Sequence, residues 1–309
     1  MHSTFPFYSQ PRTPFMYDTK IVEIVVICIV TTCTFIIILP GIRGKQRLSW
    51  LLKVLTSLFI GAVILAVNFT RDWEVGSVTT TTVYKSFSNA MVNVSIGLWV
   101  GLKGVNITLS GIPIQQLNET INYNEEFDWD SGMHFEKDYE ESLERGLPNP
   151  ILYVAEKFTM NSPCRLHQQY SISAYYSSAL MWLAFCSWIF CNLLFSMPVL
   201  IYGIYMMFAT ALCILISLIS FASVSQTKCS IQFGIAVLQT RFGLSFWISL
   251  GTGTFCLILS LVLITVYIAD QNILRRFFND IDVAKDLTSN KEEGSLLDDN
   301  RTIMLHEML

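Results

Sequence analysis

Apolar and polar positions alternate along this chain on two scales. On the long scale, five apolar runs stand out: Ile21–Leu39, Trp50–Val67, Tyr175–Phe195, Val199–Val224 and Ser245–Ile268. Each reaches or approaches the ~20 residues a helix needs to cross a hydrocarbon core of roughly 30 Å, so the pattern predicts five membrane spans. On the short scale, Val92, Val94, Ile96, Leu98, Val100 and Leu102 take every second position, and Val105, Ile107 and Leu109 continue after Lys103-Gly104. A period of two on both sides of a two-residue, glycine-containing turn predicts a β-hairpin. The Thr-rich run Val78–Tyr84 predicts a further strand. The rest of this segment reads as helical. Phe135, Tyr139 and Leu143 recur every four residues ahead of Gly146, a favoured residue just past a helix end. Asn149-Pro150 predicts an N-cap and first helical position for Ile151–Phe158.

The fold class expected is therefore a mainly α membrane protein. Five transmembrane helices carry an α+β extracellular domain, residues 68–174, between the second and third.

Charge and sequons orient the spans. Arg43, Lys45 and Arg47 crowd the loop 40–49, as expected of a cytosolic loop. Asn93, Asn106 and Asn118 each open an Asn-X-Ser/Thr sequon, the expected glycan sites of a luminal or extracellular domain. In the hairpin register Asn93 and Asn106 fall on the polar face, away from the apolar positions. Asn68, at a membrane exit, and Asn300, in the cytosolic tail, are expected to stay bare. The amino-terminal segment 1–20 and the loop 225–244 then lie outside, and the tail 269–309 lies in the cytosol. The first run, with its denser positive charge after it (Arg43, Lys45, Arg47) than before it (Arg12, Lys20), reads as a retained reverse anchor and not a cleaved signal.

Composition adds little that changes this picture. The chain is 52% hydrophobic and 14% charged, and only Glu23 and Lys53 fall within the runs, each near an end where it can reach the interface. The segment 68–174 holds seven Lys/Arg against thirteen Asp/Glu, a net of −6. Six of the eight cysteines lie in apolar runs, where a thiol acts as a small hydrophobe. Cys164 and Cys229 alone fall on the oxidising side, one in each extracellular segment, and predict one disulfide. Phe5, Phe7 and Tyr8, among the prolines Pro6, Pro11 and Pro14, read as aromatic anchors of a partner-binding segment. The tail 269–309 has little periodicity and reads as disordered.

No catalytic, metal or cofactor-binding constellation emerges. The four histidines, His2, His134, His167 and His306, make no helical pair of the kind that holds haem. No glycine-rich phosphate loop is present, and Tyr139 stands where a calcium loop begun at Asp128 would need Glu. The spans lack the inward polar rows expected of a conduction path. These patterns favour a non-enzymatic partner protein that meets membrane lipid and another protein but no nucleic acid. A small transporter is the lesser alternative.

Six motifs in order then define a resemblance: Leu39-Pro-Gly-Ile-Arg-Gly44, Leu58-Phe-Ile-Gly61, Gly104-Val-Asn-Ile-Thr-Leu109, Gln116-Leu-Asn-Glu-Thr-Ile121-Asn-Tyr-Asn-Glu125, Glu144-Arg-Gly-Leu-Pro148 and Leu152-Tyr-Val-Ala-Glu-Lys-Phe158. Over about Phe5 to Phe278 the chain resembles the dual oxidase maturation factors. The resemblance implies a non-catalytic subunit that binds a dual oxidase, a hydrogen-peroxide-producing NADPH oxidase. It implies support for the oxidase's folding in the endoplasmic reticulum, its exit, and its activity at the plasma membrane as a bound complex. Haem, FAD and NADPH are then expected on the partner, and no cofactor on this chain. It also implies a claudin-like extracellular domain, and Ile96-Gly-Leu-Trp99 resembles the claudin Gly-Leu-Trp. The claudin cysteine pair is absent after it, which counts against the alternative of claudin-like adhesion.

Overall fold

The computed structural model describes residues 19–38, 46–86, 88–129, 132–160, 162, 166–197, 200–225 and 231–270. Among these residues five helices are long and apolar enough to cross a membrane: α1 (Thr19–Ile38), α2 (Gln46–Phe69), α5 (Leu166–Phe195), α6 (Leu200–Ser225) and α7 (Leu244–Ala269). Between α2 and α5 the chain forms β1 (Glu74–Val83), β2 (Met91–Val100), β3 (Gly104–Gln116), β4 (Glu119–Asp128), α3 (Gly132–Glu144) and α4 (Asn149–Lys157). Three short strands, β5 (Ile231–Phe233), β6 (Ala236–Leu238) and β7 (Thr240–Phe242), separate α6 from α7.

The main sheet is antiparallel, ordered β4-β3-β2-β1-β7. Every residue of the alternating apolar set in β2 and β3 points inward and is buried, from Val92 to Leu102 and at Val105, Ile107 and Leu109. Ile96 stands opposite both Val78 on β1 and Leu109 on β3, so three strands share one apolar face. The hairpin turn sits one residue earlier than its glycine predicted. Gly101 and Gly104 close it through a 2.9 Å N–H···O bond, with Leu102 and Lys103 at its tip, because Leu102 is pulled into the core.

Residues 111–128, read as helical from sequence, are instead the end of β3 and all of β4. Their inward positions are Ile121, Tyr123, Glu125 and Phe127, and the polar Glu125 among them blurs the alternation. Leu117 and Asn118, with φ of 54° and 58°, make the β3–β4 turn. The strands β5–β7 were not anticipated either, since three-residue strands carry too little pattern to read. In α3, Phe135 is buried and Tyr139 partly so, but Leu143 is 48% exposed and Ser142 takes its inward place. Gly146 does take a positive φ of 68° just beyond the helix. Asn149 is not the cap of α4. Pro148 occupies that position, and Asn149 instead ties back to the end of β1, its N–H donating to Tyr84 O at 3.0 Å and its Oδ1 accepting from Ser86 at 2.5 Å.

Two apolar helices start earlier than expected, α2 at Gln46 and α5 at Leu166. At 30 residues α5 is about 45 Å long, well beyond a hydrocarbon core. Its early turns are hidden in the sequence by His167, Gln168 and Gln169, yet Leu166, His167, Tyr170 and Ala174 form a buried stripe. α2, α5, α6 and α7 pack together, whereas α1 touches α2 and, over residues 21–38, buries none of its side chains fully. Phe35 of α1 meets Trp50 of α2 edge-on, 5.9 Å between centroids.

Candidate partner interface

The sheet domain is fixed to the bundle by one continuous core. Trp73 is fully buried at the junction, its Nε1–H donating to Val67 O at 2.9 Å and its ring lying 5.0 Å from that of Phe221. Its backbone ties three elements, with Trp73 N–H donating to Val100 O at 3.0 Å and Gly243 N–H donating to Trp73 O at 2.8 Å. Glu74, also fully buried, accepts a 2.9 Å hydrogen bond from the Tyr170 hydroxyl of α5. Ser245 donates to Asp72 and shares a 2.7 Å hydrogen bond with Thr70, which closes α7 onto the end of α2. Above this junction Trp129 stacks on Phe135 and Tyr170, with His167 edge-on at 5.5 Å. A junction buried this deeply holds the outer surfaces of sheet and bundle in one orientation.

Those outer surfaces are uneven. A groove of about 570 Å³ opens beside the end of β1, bounded by Thr81–Val83, by Tyr139 and Leu143 of α3, by Tyr153 and Glu156 of α4, and by Phe233 of the β5–β6 hairpin. Tyr153 and Phe233 meet edge-on across one wall, 5.2 Å between centroids. Burial, reinforced by the facing Glu156 carboxylate, pushes the Tyr139 phenol up, so it stays a neutral hydrogen-bond donor at physiological pH. The neighbouring Tyr84 phenol is pushed up more strongly, by burial and by its hydrogen bond with Tyr123 at 2.9 Å. At the hairpin tip Ile235 is fully exposed beside Gly234, whose φ of 61° makes the turn. Ile112, Ile114 and Leu117 are exposed at the same end of the sheet, where Asn93 stands opposite Thr81 and its N–H donates to Gln116. Scattered apolar residues need no explanation; clustered beside an aromatic groove they mark an interaction surface.

The residues singled out from sequence divide as follows. Asn93 and Asn118 are exposed, while Asn106 is half-buried with its Oδ1 sheltered from solvent. Asn68 is 2% exposed and accepts a 2.8 Å hydrogen bond from Ser178. Phe5, Phe7, Tyr8, Cys164 and Cys229 lie outside the described residues. Among the described residues no group of three or more His, Cys, Asp or Glu is placed to hold a metal ion. Sequence reading missed the groove itself. Its one legible signal was Phe233-Gly234-Ile235, two large apolar side chains flanking a glycine in a short connection between spans.

Comparison with known proteins sets this surface in context. The family model described as dual oxidase maturation factor matches residues 7–282. Dual oxidase maturation factor 1 of Xenopus tropicalis is 65% identical, covering 99% of this chain and 98% of that protein. Dual oxidase maturation factor 1 of Homo sapiens is 50% identical over 95% of this chain and 87% of its own length. Dual oxidase maturation factor 2 of Mus musculus is 45% identical over 94% and 90%. With a match that runs from before α1 to beyond α7 and takes in the sheet domain between, this chain belongs to the dual oxidase maturation factor family.

Proposed function

We propose that this protein is a non-catalytic membrane partner of a dual oxidase, assisting its folding and exit from the endoplasmic reticulum and remaining bound to it at the plasma membrane. The observation that carries this reading is the family match over residues 7–282. The rigid sheet domain, with an aromatic groove and exposed apolar hairpin tips, supports a docking role. Haem, FAD and NADPH belong, in this reading, to the oxidase.

The same proposal includes the topology. The basic loop 40–49 and the tail are cytosolic, and the sheet domain faces the lumen and then the cell exterior. An antiparallel sheet standing on a helical bundle supports a claudin-like architecture with α1 added. Co-expression tests the function. A dual oxidase made with this chain should gain mature glycans and release peroxide at the surface, and should co-purify with it. An oxidase that matures equally well without the chain would overturn the proposal.

A further inference from the structure

We infer that Trp99 is a carbohydrate platform on the outer face of the sheet, on which the first N-acetylglucosamine of a glycan on Asn106 lies flat; this rests on the luminal placement of the sheet domain proposed above. Strand register brings the two residues together. Trp99 of β2 stands directly opposite Asn106 of β3, on the face away from the buried Leu98, Val100, Val105 and Ile107. Directly opposed residues hold their Cβ atoms about 4.5–5.5 Å apart, so a sugar on the Asn106 amide starts within reach of the indole.

The ring is already laid out beside the sequon. On the same face of β2 is Gly97, where a Cβ would stand 3.3 Å from Trp99 Nε1 and closer still to Thr108 Oγ1. The indole therefore lies along β2 over Gly97. Gly97 is itself paired with Thr108, the hydroxyl residue of the sequon Asn106-Ile107-Thr108. On its other flank Asn106 stands opposite Glu126, whose carboxylate pairs with Arg71 at 2.6 Å. A neutral sugar on Asn106 then has an ion pair on one side and an apolar ring on the other.

Trp99 has no other evident use. Trp73 and Trp129, the other tryptophans of the segment 68–174, are buried, and their indole N–H groups donate to Val67 O and Gly101 O. Trp99 is 39% exposed and, among the described residues, makes no ring contact and no side-chain hydrogen bond. A pyranose presents a face of C–H bonds, which the negative face of an aromatic ring attracts while both shed water. Asn93 lies on the same face of the sheet but stands opposite Thr81, so a glycan there serves as the control.

The test uses the full-length chain purified from cells that add N-glycans, with occupancy and release at each site followed by glycopeptide mass spectrometry. Peptide-N-glycosidase cuts between asparagine and the first sugar, so its rate on the folded chain reads how freely that sugar leaves the surface. Release from Asn106 is expected to be slower than from Asn93. Trp99→Leu, which keeps bulk without the aromatic face, should raise release at Asn106 about fivefold and leave Asn93 unchanged. Trp99→Phe should keep most of the protection. Equal rates at Asn106 and Asn93 in the unmodified chain would overturn the inference, as would protection by Leu equal to that by Trp. Loss of recovered oxidase with Trp99→Leu, at unchanged Asn106 release, would also overturn it and give the ring to the partner protein. Asn106 bare while Asn93 or Asn118 is occupied would remove the platform alone; all three bare would remove the luminal placement with it.

Discussion

Ser177 and Ser217 exchange a matched pair of hydrogen bonds between α5 and α6. Each hydroxyl donates to the other's backbone carbonyl at 3.0 Å, and both residues are fully buried. Small residues let the two helices approach, and the hydroxyls hold the depth at which they meet. Ser173, one turn away, repeats the contact by donating to Ser220 O at 2.8 Å. Replacing Ser177 or Ser217 by Ala should each lower stability in detergent by ~0.6 kcal/mol, with the double variant falling short of the sum. Denaturation of the purified chain would read this, and strict additivity would show that the pair is uncoupled.

Gly61 of α2 lies under the Trp188 ring of α5, and a Cβ placed there would stand 2.5 Å from it. Trp188 has little freedom to yield, because its Nε1–H donates to Ser57 O at 3.1 Å and Ser57 Oγ bonds Asn192 at 2.5 Å. Gly61→Leu should therefore cost on the order of 1–3 kcal/mol by overpacking. A melting temperature equal to wild type would show that α2 and α5 separate easily here.

Glycan placement tests the proposed topology. Asn93→Gln, Asn106→Gln and Asn118→Gln should each lower the apparent mass by one glycan, whereas Asn68→Gln and Asn300→Gln should not. Asn68 is closed off by burial and by Ser178. A mass shift at Asn300 would reverse the orientation.

Cys164 and Cys229 are expected to form a disulfide. Closing that loop constrains the unfolded chain by roughly 4 kcal/mol in the entropic view, less any strain. Non-reducing peptide mapping should recover the two joined, and finding both thiols free would remove the bond.

The amino-terminal aromatics Phe5, Phe7 and Tyr8 are proposed to contact the oxidase. Changing all three to Ala should leave the chain's own expression and glycosylation intact while reducing recovered complex and surface peroxide, since a buried aromatic anchor often contributes ~2 kcal/mol or more. Complex recovery and peroxide output equal to wild type would reduce the segment to a plain tail.

What was legible in the sequence tracks how far local pattern determines structure. β2 and the first half of β3 were readable because their inward positions there are apolar, and the helices because long apolar runs have few other uses. β4 was not, since Glu125 occupies an inward position and pairs with Arg145 at 3.6 Å only once α3 has folded. The early turns of α5 were hidden for a similar reason: His167 is apolar in its surroundings, among Trp129 and Phe135, and polar in its letter. The groove was beyond sequence reading altogether. Its walls come from residues 81–83, 139–156 and 233, which tertiary folding alone brings together.

The continuous core through Trp73 has a consequence for surveillance of the protein. Sheet and bundle share one apolar cluster, with Ile64 and Phe221 at one end and Ile107 and Phe135 at the other. Among the described residues that cluster runs unbroken between the two, so their unfolding is expected to be coupled. An assembly error deep among the spanning helices is then reported at the sheet surface, where soluble chaperones have access. A partner that grips the sheet in turn steadies helices it never touches.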